Sequence, residues 1–348
     1  MRLLVAGGAG FIGSTFVARR LAASADSIVV LDKLTYAGSR ENLAEIEADA
    51  NLGPRLRFVQ GDICDADIVG SLLAEADAVV NFAAETHVDR SIAAADDFLR
   101  TGVTGVHVLL EAVRRAAEAR PDAAPRLVQV STDEVYGTIE SGAADEDAPL
   151  RPRSPYAAAK AAGDLLCLAY HVTHGTDVVI SRGANTYGPR QHPEKLVPLF
   201  ITNALEGEPL PLYGDGRQRR DWLFVDDHAD AIALLLDRAA PGGVYNVTGG
   251  DERINRDVAD VILAATGRSA DLLRSVADRP GHDRRYAMTG DRLAALGWQS
   301  RVTFADGMAH TVAWYSANRA WWQRARGPGW ADYYERLYGR RLAESTPA

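Results

Sequence analysis

The sequence predicts an α/β fold in which a doubly wound parallel sheet carries helices on both faces. Short, wholly apolar segments alternate with longer segments of helical character through the first half of the chain. Strands that are buried on both faces have this composition, and a βαβ alternation makes them parallel. A glycine-rich turn directly after the first apolar segment is the second observation, since such turns join a strand to a helix in this class of fold.

The chain up to residue 185 contains six predicted strands, which span residues 3–6, 27–32, 57–60, 78–82, 127–131 and 178–182. Helical periodicity predicts a helix from the glycine turn to about residue 23, and further helices at about 104–119 and 156–174. At 348 residues the chain is long enough for one large domain or two modest ones.

Prolines and glycines become frequent after Gly188, and this change predicts a smaller, mixed α/β substrate-binding domain. A helix at 225–237 and a strand at 244–247 are expected to return to the main sheet. The first domain is therefore predicted to comprise residues 1–185 plus roughly 221–250, and the second roughly 186–220 plus 251–335. Residues 320–348 are expected to pack along an edge and to end in a frayed tail, 336–348.

Charge and composition exclude several classes of partner. The formal net charge of −9 argues against a general affinity for nucleic acid or for anionic membranes. No apolar run approaches the roughly 18 residues that a membrane span needs. Cys64 and Cys167 stand far apart, without metal-ligand spacing, which predicts no metal site and a reducing, cytoplasmic location.

The glycine turn predicts a dinucleotide site of the Rossmann type. Gly7, Gly10 and Gly13, with Phe11 and Ile12 between the last two, permit a tight turn and let a pyrophosphate approach backbone N–H groups. Asp32 ends the next strand, 19 residues after Gly13, where its carboxylate is placed to accept a hydrogen bond from a ribose 2′-OH. The carboxylate favours NAD over NADP, and the neighbouring Lys33 is a mild contrary signal.

The remaining cofactor candidates follow the ends of the predicted strands. Asp62 and Ile63 are placed to contact the adenine edge, although a helix N-cap is an equally good interpretation of Asp62. Small side chains at Ala83 and Ala84 let a dinucleotide cross the sheet closely. The predicted cofactor site is completed by Thr35, Gly38 and Asn185.

A redox site is predicted from Tyr156 and Lys160, which lie four residues apart on one helix face. The lysine charge is expected to favour the phenolate, so that Tyr156 acts as a base near neutral pH. A buried tyrosine beside a snorkelling lysine is the alternative, which the nearby cofactor site disfavours.

Thr132, Asp133 and Glu134 follow a predicted strand. Alone they fit a solvated turn, but the carboxyl end of such a strand faces the cleft.

Eight motifs together resemble the dTDP-glucose 4,6-dehydratases, which belong to the extended short-chain dehydrogenase/reductases. These motifs are residues 7–13, 83–92, 131–137, the Tyr156/Lys160 pair, 185–189, 193–196, 220–222 and 279–283. The glycine motif and the Tyr/Lys pair are shared by the superfamily, whereas Thr-Asp-Glu at 132–134 is more specific. The resemblance extends from residue 1 to about 322.

This resemblance implies NAD as a tightly held catalyst and a three-stage reaction. Tyr156 takes the proton of O4 while NAD takes the C4 hydride, and Thr132 hydrogen-bonds O4. Glu134 then removes the C5 proton, and protonated Asp133 donates to the departing C6 hydroxyl. The hydride returns to C6 and Glu134 reprotonates C5, so that net redox change is zero.

Substrate contacts are implied by the same resemblance. A dTDP-sugar is expected at a set of residues that includes the catalytic Thr132: His87, Thr132, Asn185, Lys195, Leu196, Pro211, Tyr213, Arg220, Asn255, Arg279 and His282. The guanidinium forks of Arg220 and Arg279 suit a pyrophosphate best. A surface basic turn at Arg220 and a structural histidine at His282 are the alternatives. The sequence departs from the family pattern at Thr186, at Arg190 and in the segment 182–184.

Several other functions stay open at this point. The nearest is the same dehydration of UDP-glucose or of another NDP-hexose. A 4-epimerase or decarboxylase of NDP-sugars is disfavoured by the joint presence of Asp133 and Glu134. A non-enzymatic NAD-sensing protein would be expected to lose Tyr156 or Lys160. The resemblance also implies a homodimer, in which the helices at 104–119 and 156–174 pair as a four-helix bundle.

Overall fold

A computed structural model describes residues 1–348 and contains one large sheet. Its seven strands are all parallel and lie in the order β10-β6-β5-β4-β1-β2-β3. They are β1 (Arg2–Ala6), β2 (Ser27–Asp32), β3 (Leu56–Gln60), β4 (Ala78–Asn81), β5 (Arg126–Thr132), β6 (Val178–Gly183) and β10 (Val244–Val247). The six strands predicted in the chain up to residue 185 are confirmed, and the strand at 244–247 joins the sheet beside β6.

Alternate residues of each central strand pack on opposite faces of this sheet. In β1, Leu3 and Val5 belong to one hydrophobic core, whereas Leu4 and Ala6 belong to another. Both cores are covered by helices, and this double burial explains why the strands are apolar at every position. The predicted α/β class with a doubly wound parallel sheet is therefore confirmed.

Fifteen α-helices accompany the strands. They are α1 (Phe11–Ala23), α2 (Ala44–Ala48), α3 (Ala66–Leu73), α4 (Val88–Ala93), α5 (Asp96–Leu99), α6 (Val106–Ala119), α7 (Pro155–His174), α8 (Leu196–Glu206), α9 (Val225–Arg238), α10 (Asn255–Thr266), α11 (Asp291–Ala295), α12 (Phe304–Ala317), α13 (Arg319–Arg326), α14 (Trp330–Tyr334) and α15 (Arg340–Ala343). All of them lack the combination of length and apolar character that a membrane crossing requires.

The remaining strands form two small mixed sheets. One contains β7 (Asn185–Tyr187), β9 (Arg219–Phe224) and β11 (Glu252–Ile254), and the other contains β8 (Leu210–Tyr213), β12 (Leu273–Val276) and β13 (Thr346–Pro347). A third hydrophobic core lies between these sheets and the helices α8, α10 and α12. The smaller mixed α/β region is thus present, while the residue limits of the two domains stay a prediction.

The C-terminal segment does not fray as the sequence predicts. Tyr338 is buried, and β13 pairs antiparallel with β12 through Ser275 and Thr346. Aromatic side chains spaced along residues 330–338 pack against the third core, which gives this segment a buried face that its mixed polar composition does not reveal. The predicted tail is therefore an ordered part of the smaller region.

A buried ion pair ties the large sheet to the helix that carries Tyr156. Arg182 of β6 donates from Nε to Asp164 of α7 at 2.9 Å, and the two side chains are 3% and 0% exposed. The same guanidinium donates to the hydroxyl of Tyr136 at 2.8 Å. Burial raises the pKa of Asp164, and Arg182 opposes this effect. Removal of either partner leaves an uncompensated polar group in the core.

We expect Arg182→Met to lower the free energy of unfolding by about 3–5 kcal/mol, because Asp164 loses its only cationic hydrogen-bond donor. Urea denaturation followed by circular dichroism measures this change. Arg2→Met is the matched control, since the Arg2–Asp77 pair is exposed to water and its loss should leave the denaturation midpoint nearly unchanged. Equal midpoints for Arg182→Met and wild type would contradict the structural role of the buried pair.

Candidate active site

The turn after β1 is shaped to admit a pyrophosphate. Gly7 has a φ of +74°, and a Cβ there would lie 2.5 Å from the backbone nitrogen of Ala83. A Cβ on Gly13 would lie 2.3 Å from the carbonyl oxygen of Gly7. Gly10 precedes α1 without a side-chain cap, so the first N–H groups of the helix stay available to an anion. These residues therefore fit the cofactor that the sequence predicts.

Asp32 lies at the end of β2 beside this turn. Its two carboxylate oxygens accept hydrogen bonds from the backbone nitrogens of Ala9 at 2.9 Å and Leu34 at 2.8 Å. Burial raises the pKa of Asp32, and the two backbone donors oppose this effect. The carboxylate is thereby oriented, and each oxygen retains a lone pair for a further donor such as a ribose hydroxyl.

Asp62 forms ion pairs instead of capping a helix. Its Oδ2 lies 3.0 Å from Nζ of Lys33, and its Oδ1 accepts from the backbone nitrogen of Cys64. The N-cap of α3 is Asp65, which accepts from the nitrogens of Asp67 and Ile68. The N-cap interpretation of Asp62 is therefore wrong, and Asp62 is instead the ion-pair partner of Lys33.

The predicted cofactor residues converge on one cleft at the carboxyl edge of the large sheet. This cleft has a volume of about 310 Å³. Its lining includes every residue of the predicted set: Gly7, Gly10, Phe11, Ile12, Gly13, Asp32, Lys33, Thr35, Gly38, Asp62, Ile63, Ala83, Ala84, Tyr156, Lys160 and Asn185. The structure thus brings together segments that are far apart in the sequence.

Thr132, the last residue of β5, lines the same cleft together with Asp133 and Glu134, which directly follow the strand. The Thr132 hydroxyl donates to Asp133 Oδ1 at 3.0 Å and accepts from the backbone nitrogen of Glu134 at 3.3 Å. Asp133 is 3% exposed, and its Oδ2 has no hydrogen-bond partner. Burial, and then repulsion by Glu134, raise the pKa of Asp133 to about 8. Asp133 is therefore protonated near neutral pH.

Tyr156 and Lys160 both lie on the first turns of α7, buried against the end of β5. Ser154 caps this helix by accepting from the backbone nitrogen of Ala157 at 3.1 Å. Lys160 donates to the carbonyl of Val130 at 2.5 Å, and burial lowers its pKa. The capped helix start and the lysine contact hold this pair at the floor of the cleft.

The pKa of Tyr156 changes in the direction opposite to the sequence expectation. Burial raises it, and Glu134 raises it further, while a hydrogen bond with Thr132 lowers it in part. The attraction expected from Lys160 does not overcome these effects, because the lysine is directed to the carbonyl of Val130. The protein by itself therefore keeps Tyr156 protonated.

The predicted substrate residues line a second cavity of about 140 Å³. Ten of the eleven are found there: His87, Asn185, Lys195, Leu196, Pro211, Tyr213, Arg220, Asn255, Arg279 and His282. Thr132, the eleventh, lines the first cleft. The two spaces adjoin, because both are lined by Glu134, Asn185 and Lys195.

Cationic side chains surround this second cavity in a protein of net charge −9. Arg220 is 4% exposed and donates to the carbonyls of Arg219 and Asp283. Arg279 lies 3.3 Å from Asp89, and Lys195 donates to the carbonyl of Thr86 at 2.5 Å. Buried guanidinium groups with spare donors suit an anionic ligand. Arg220 is therefore not the surface basic turn that the sequence allows.

Two histidines of the cavity are uncharged at neutral pH. Burial lowers the pKa of His87 and of His282 to about 4 each. His282 Nδ1 lies 2.6 Å from Asp278 Oδ1 and therefore has a structural partner as well as a position in the cavity wall. Both histidines are thus suited to neutral hydrogen bonding.

Sequence reasoning missed Tyr286, which contacts the catalytic candidates directly. Its hydroxyl donates to Asp283 Oδ2 at 2.9 Å and lies 3.3 Å from Glu134 Oε2. The guanidinium carbon of Arg220 lies 4.1 Å from the centroid of its ring. Tyr286 lies in an irregular segment, where no periodicity marks a residue that turns inward.

Glu194 was also missed, although it belongs to a motif that the sequence analysis used. Its side chain is 0% exposed, and the residue lines both cavities. Burial alone would raise the pKa of Glu194, but His87, His192, Lys195 and Arg90 lower it to about 2. Because burial lowers the pKa of His87, His192 and Lys195, the guanidinium of Arg90, which donates to Glu194 at 2.8 Å, is the most persistent of these charges.

Thr186 and Arg190, two of the departures from the family pattern, lie in different environments. The Thr186 hydroxyl lies 2.8 Å from Nδ1 of His228 and lines the cleft. Arg190 has a φ of +68° and bonds Glu45 at 2.7 Å. Arg190 therefore points to a surface carboxylate, whereas Thr186 belongs to the cofactor cleft.

Comparison with known proteins places this chain among enzymes of nucleotide sugars. The sequence model of the GDP-mannose 4,6 dehydratase family matches residues 4–311. A dTDP-glucose 4,6-dehydratase of Streptomyces niveus is 52% identical over 334 residues, which cover 94% of this chain and 96% of that protein.

Solved structures show the same fold with more than one activity. DesIV, a dTDP-glucose 4,6-dehydratase from Streptomyces venezuelae crystallised with NAD and TYD bound, aligns with a TM-score of 0.89 at 52% identity, over 93% of this chain and 100% of that chain. A UDP-glucose 4-epimerase of Thermus thermophilus in complex with NAD aligns with a TM-score of 0.82 at 33% identity, over 91% and 100%.

We expect Asp133→Asn to stabilise the protein more at pH 8 than at pH 5. Between the unfolded pKa of about 3.9 and the folded pKa of about 8, the unfolded chain releases a proton that folded Asp133 keeps. The free energy of unfolding of the wild type therefore falls as the pH rises through this window. Asparagine does not titrate, so the free energy of unfolding of Asp133→Asn lacks this decrease. Urea denaturation at both pH values measures the difference.

Asp215→Asn is the control for this prediction. A hydrogen bond from Arg284 lowers the pKa of Asp215, so its contribution to stability is already complete at pH 5. The effect of Asp215→Asn should therefore be the same at pH 5 and pH 8. A pH-independent effect of Asp133→Asn as well would show that Asp133 is ionised throughout.

Proposed function

The chain belongs to the dTDP-glucose 4,6-dehydratase family, and from this membership we propose that it converts dTDP-glucose to dTDP-4-keto-6-deoxyglucose and water. The observation that carries the proposal is the adjacent pair Asp133 and Glu134 beside Tyr156, with Asp133 buried and protonated. Elimination of water needs one group that removes a proton and a second that donates one, and this pair supplies both.

NAD is the cofactor that this proposal requires. The glycine turn would hold the pyrophosphate of NAD, and Asp32 would accept a hydrogen bond from a ribose hydroxyl. Tyr156 and Lys160 would contact the end of NAD that lies nearest the sugar substrate. When bound, NAD supplies the reversible hydride acceptance that oxidises C4 and later reduces C6. It also brings a positive charge into the cleft, which favours the phenolate of Tyr156 over the protonated form that burial imposes.

The protein side chains move the protons of the reaction. Tyr156 takes the proton of the O4 hydroxyl, and Thr132 hydrogen-bonds that oxygen. With C4 as a ketone, the C5 proton becomes acidic and passes to Glu134, while Asp133 gives its proton to the departing C6 hydroxyl, which leaves as water. Glu134 then returns its proton to C5. The proton gained by Tyr156 balances the one lost by Asp133, so no proton is exchanged overall.

The second cavity is proposed to anchor the nucleotide diphosphate. Arg220 and Arg279 lie in its wall with guanidinium groups that match phosphate oxygens in pairs. Pro211 and Tyr213, which line the same cavity, would offer an apolar and aromatic surface to the base. Thymine and uracil differ by one methyl group, which changes binding in an apolar pocket by only about 1–3 kcal/mol.

A homodimer is part of the proposal. Leu165 and Val172 lie seven residues apart on α7 and are 57% and 84% exposed, so one face of this helix presents apolar side chains to solvent. Pairing of α6 and α7 with the same helices of a second copy would bury these apolar side chains in a four-helix bundle.

We also propose a cytoplasmic location, in keeping with the free thiols of Cys64 and Cys167.

The purified protein, with no added NAD, should convert dTDP-glucose to the 4-keto-6-deoxy sugar without net NADH. Mass spectrometry and the absorbance of the product in alkali follow the loss of water. UDP-glucose serves as the parallel substrate, and the faster of the two identifies the preferred nucleotide. Absence of water loss from both substrates, also after NAD is supplied, would refute the dehydratase assignment.

Glu134→Gln should lower kcat about 10²- to 10⁴-fold, the usual contribution of a positioned acid or base. The fold and the bound NAD should persist, because the amide has nearly the same shape. Glu140→Gln, at an exposed position a few residues further along the chain, is the matched control and should turn over at the wild-type rate. Full turnover by Glu134→Gln would remove Glu134 from the role of C5 base.

Val172→Asp should convert the proposed homodimer to monomers, because it places a charge in the centre of an apolar interface. Sedimentation velocity measures the oligomeric state. Ala265→Asp, which adds the same charge to an exposed position of α10, should leave the dimer intact. A wild-type protein that sediments as a monomer would refute the pairing of α6 and α7.

A further inference from the structure

Arg90 of α4 is enclosed between two tyrosine rings from distant parts of the chain. Its guanidinium carbon lies 4.0 Å from the ring centroid of Tyr36 and 4.1 Å from that of Tyr333. Tyr36 follows β2, one residue after Thr35 of the cofactor cleft, whereas Tyr333 belongs to α14 near the C-terminus. A planar cation between two aromatic faces is stabilised by both.

The same guanidinium holds a buried carboxylate. Arg90 Nε donates to Glu194 Oε2 at 2.8 Å, and the Glu194 side chain is 0% exposed. The other oxygen of Glu194 has no hydrogen-bond partner. Arg90 is therefore the one guanidinium bonded to this carboxylate, and a buried charge without such a partner is costly.

Glu194 lies where the two cavities meet, since it lines both of them. Both Glu194 and the adjacent Lys195 line the cofactor cleft and the second cavity. A shift of the Glu194 side chain would move the 194–195 backbone and with it the lysine that faces the substrate. Displacements of about 1 Å at such positions cost up to about 100-fold in rate.

We propose that Arg90 is a positioning residue, clamped by Tyr36 and Tyr333, that aligns Glu194 and Lys195. It would thereby couple the segment that follows β2, residues 33–42 and here called the cofactor loop, to the C-terminal segment, residues 320–348. This inference rests on the proposed function, because the aligned residues face the proposed substrate site. Arg90 itself lines neither cavity, so it acts only through Glu194.

Packing alone does not explain the arrangement. Tyr36 is 36% exposed and belongs to none of the hydrophobic cores; apart from the guanidinium, its ring meets that of His192 edge-on at 5.3 Å. A second contact joins the same two regions: the indole nitrogen of Trp321 donates to Asn42 at 3.0 Å, and Asn42 donates to the carbonyl of Ala9 in the glycine turn at 2.9 Å. The C-terminal segment thus holds the cofactor loop at two places.

Arg90→Lys tests the positioning role, because lysine keeps the charge but loses the flat stacking surface and the fork of donors. We expect KM for dTDP-glucose to rise about 10-fold, as for the loss of one charge-assisted hydrogen bond, with a smaller change in kcat. Arg319→Lys is the matched control. Arg319 also stacks on an aromatic ring, that of Trp322 at 5.2 Å, and bonds Glu206 at 3.1 Å, away from both cavities. Identical KM values for Arg90→Lys and wild type would overturn the proposal.

A double-mutant cycle tests the coupling without reference to turnover. Tyr36→Leu, Tyr333→Leu and the double variant are compared with wild type for the denaturation midpoint and for the NAD retained after gel filtration. If both rings clamp Arg90, the double variant should lose less than the sum of the single variants. Tyr333→Phe keeps the ring and loses only the 3.4 Å contact of the hydroxyl with His87 Nε2, so it should lose clearly less than Tyr333→Leu. Strictly additive losses, or a Tyr333→Phe variant as impaired as Tyr333→Leu, would overturn the clamp.

The two experiments separate the inference from the proposed function. If the wild-type protein turns over no nucleotide sugar, the dehydratase assignment is refuted. The double-mutant cycle still tests the clamp in that case, because it measures the denaturation midpoint and the retained NAD. Conversely, the wild-type protein could be an active dehydratase while the double-mutant cycle is additive and Arg90→Lys leaves KM unchanged. That combination would support the dehydratase function and refute the clamp.

Discussion

The parallel register of four central strands is the constraint on which the site depends. β1 pairs with β4, β4 with β5, and β5 with β6, all in the same direction, so their carboxyl ends meet at one edge. The chain leaves this edge into the glycine turn, the segment at Ala83, the Thr132–Glu134 turn and Asn185. An antiparallel arrangement would send alternate segments to the opposite edge. The converging backbone thereby assembles the cofactor cleft from four loops.

Burial at this edge then sets the protonation of the catalytic candidates. Asp133 becomes a neutral acid because its carboxyl is removed from water beside Glu134. Lys160 and Tyr156 each shift toward the uncharged form for the same reason. Where a charge is retained in the interior, as in Arg182 and Asp164, a direct partner of opposite sign accompanies it. The low dielectric of the cleft therefore both creates the acid and limits which charges the protein keeps there.

Reaction type is decided by a few side chains on a common scaffold. A UDP-glucose 4-epimerase shares this fold with a TM-score of 0.82, so the sheet and its cofactor cleft are compatible with a different outcome at C4. In the proposed dehydratase, Asp133 and Glu134 would supply the acid and the base that remove water, and both lie directly after β5 in the wall of the cleft. The buried guanidinium groups of the second cavity supply the local positive charge that an acidic protein otherwise lacks.

The sequence by itself determined the strands, the glycine turn and the Tyr156/Lys160 pair, because these depend on local periodicity and on spacing along one element. The residues that line the second cavity were expected only because their motifs resemble those of a known family. Only the tertiary structure decided the placement of Tyr286 and Glu194, the ordered C-terminal segment, and the pKa direction of Tyr156. These properties arise from burial and from contacts between segments far apart in the chain, such as Tyr286 against Glu134. Local patterns carry no record of such contacts, since the free energy of a buried group depends on neighbours that only the folded chain supplies.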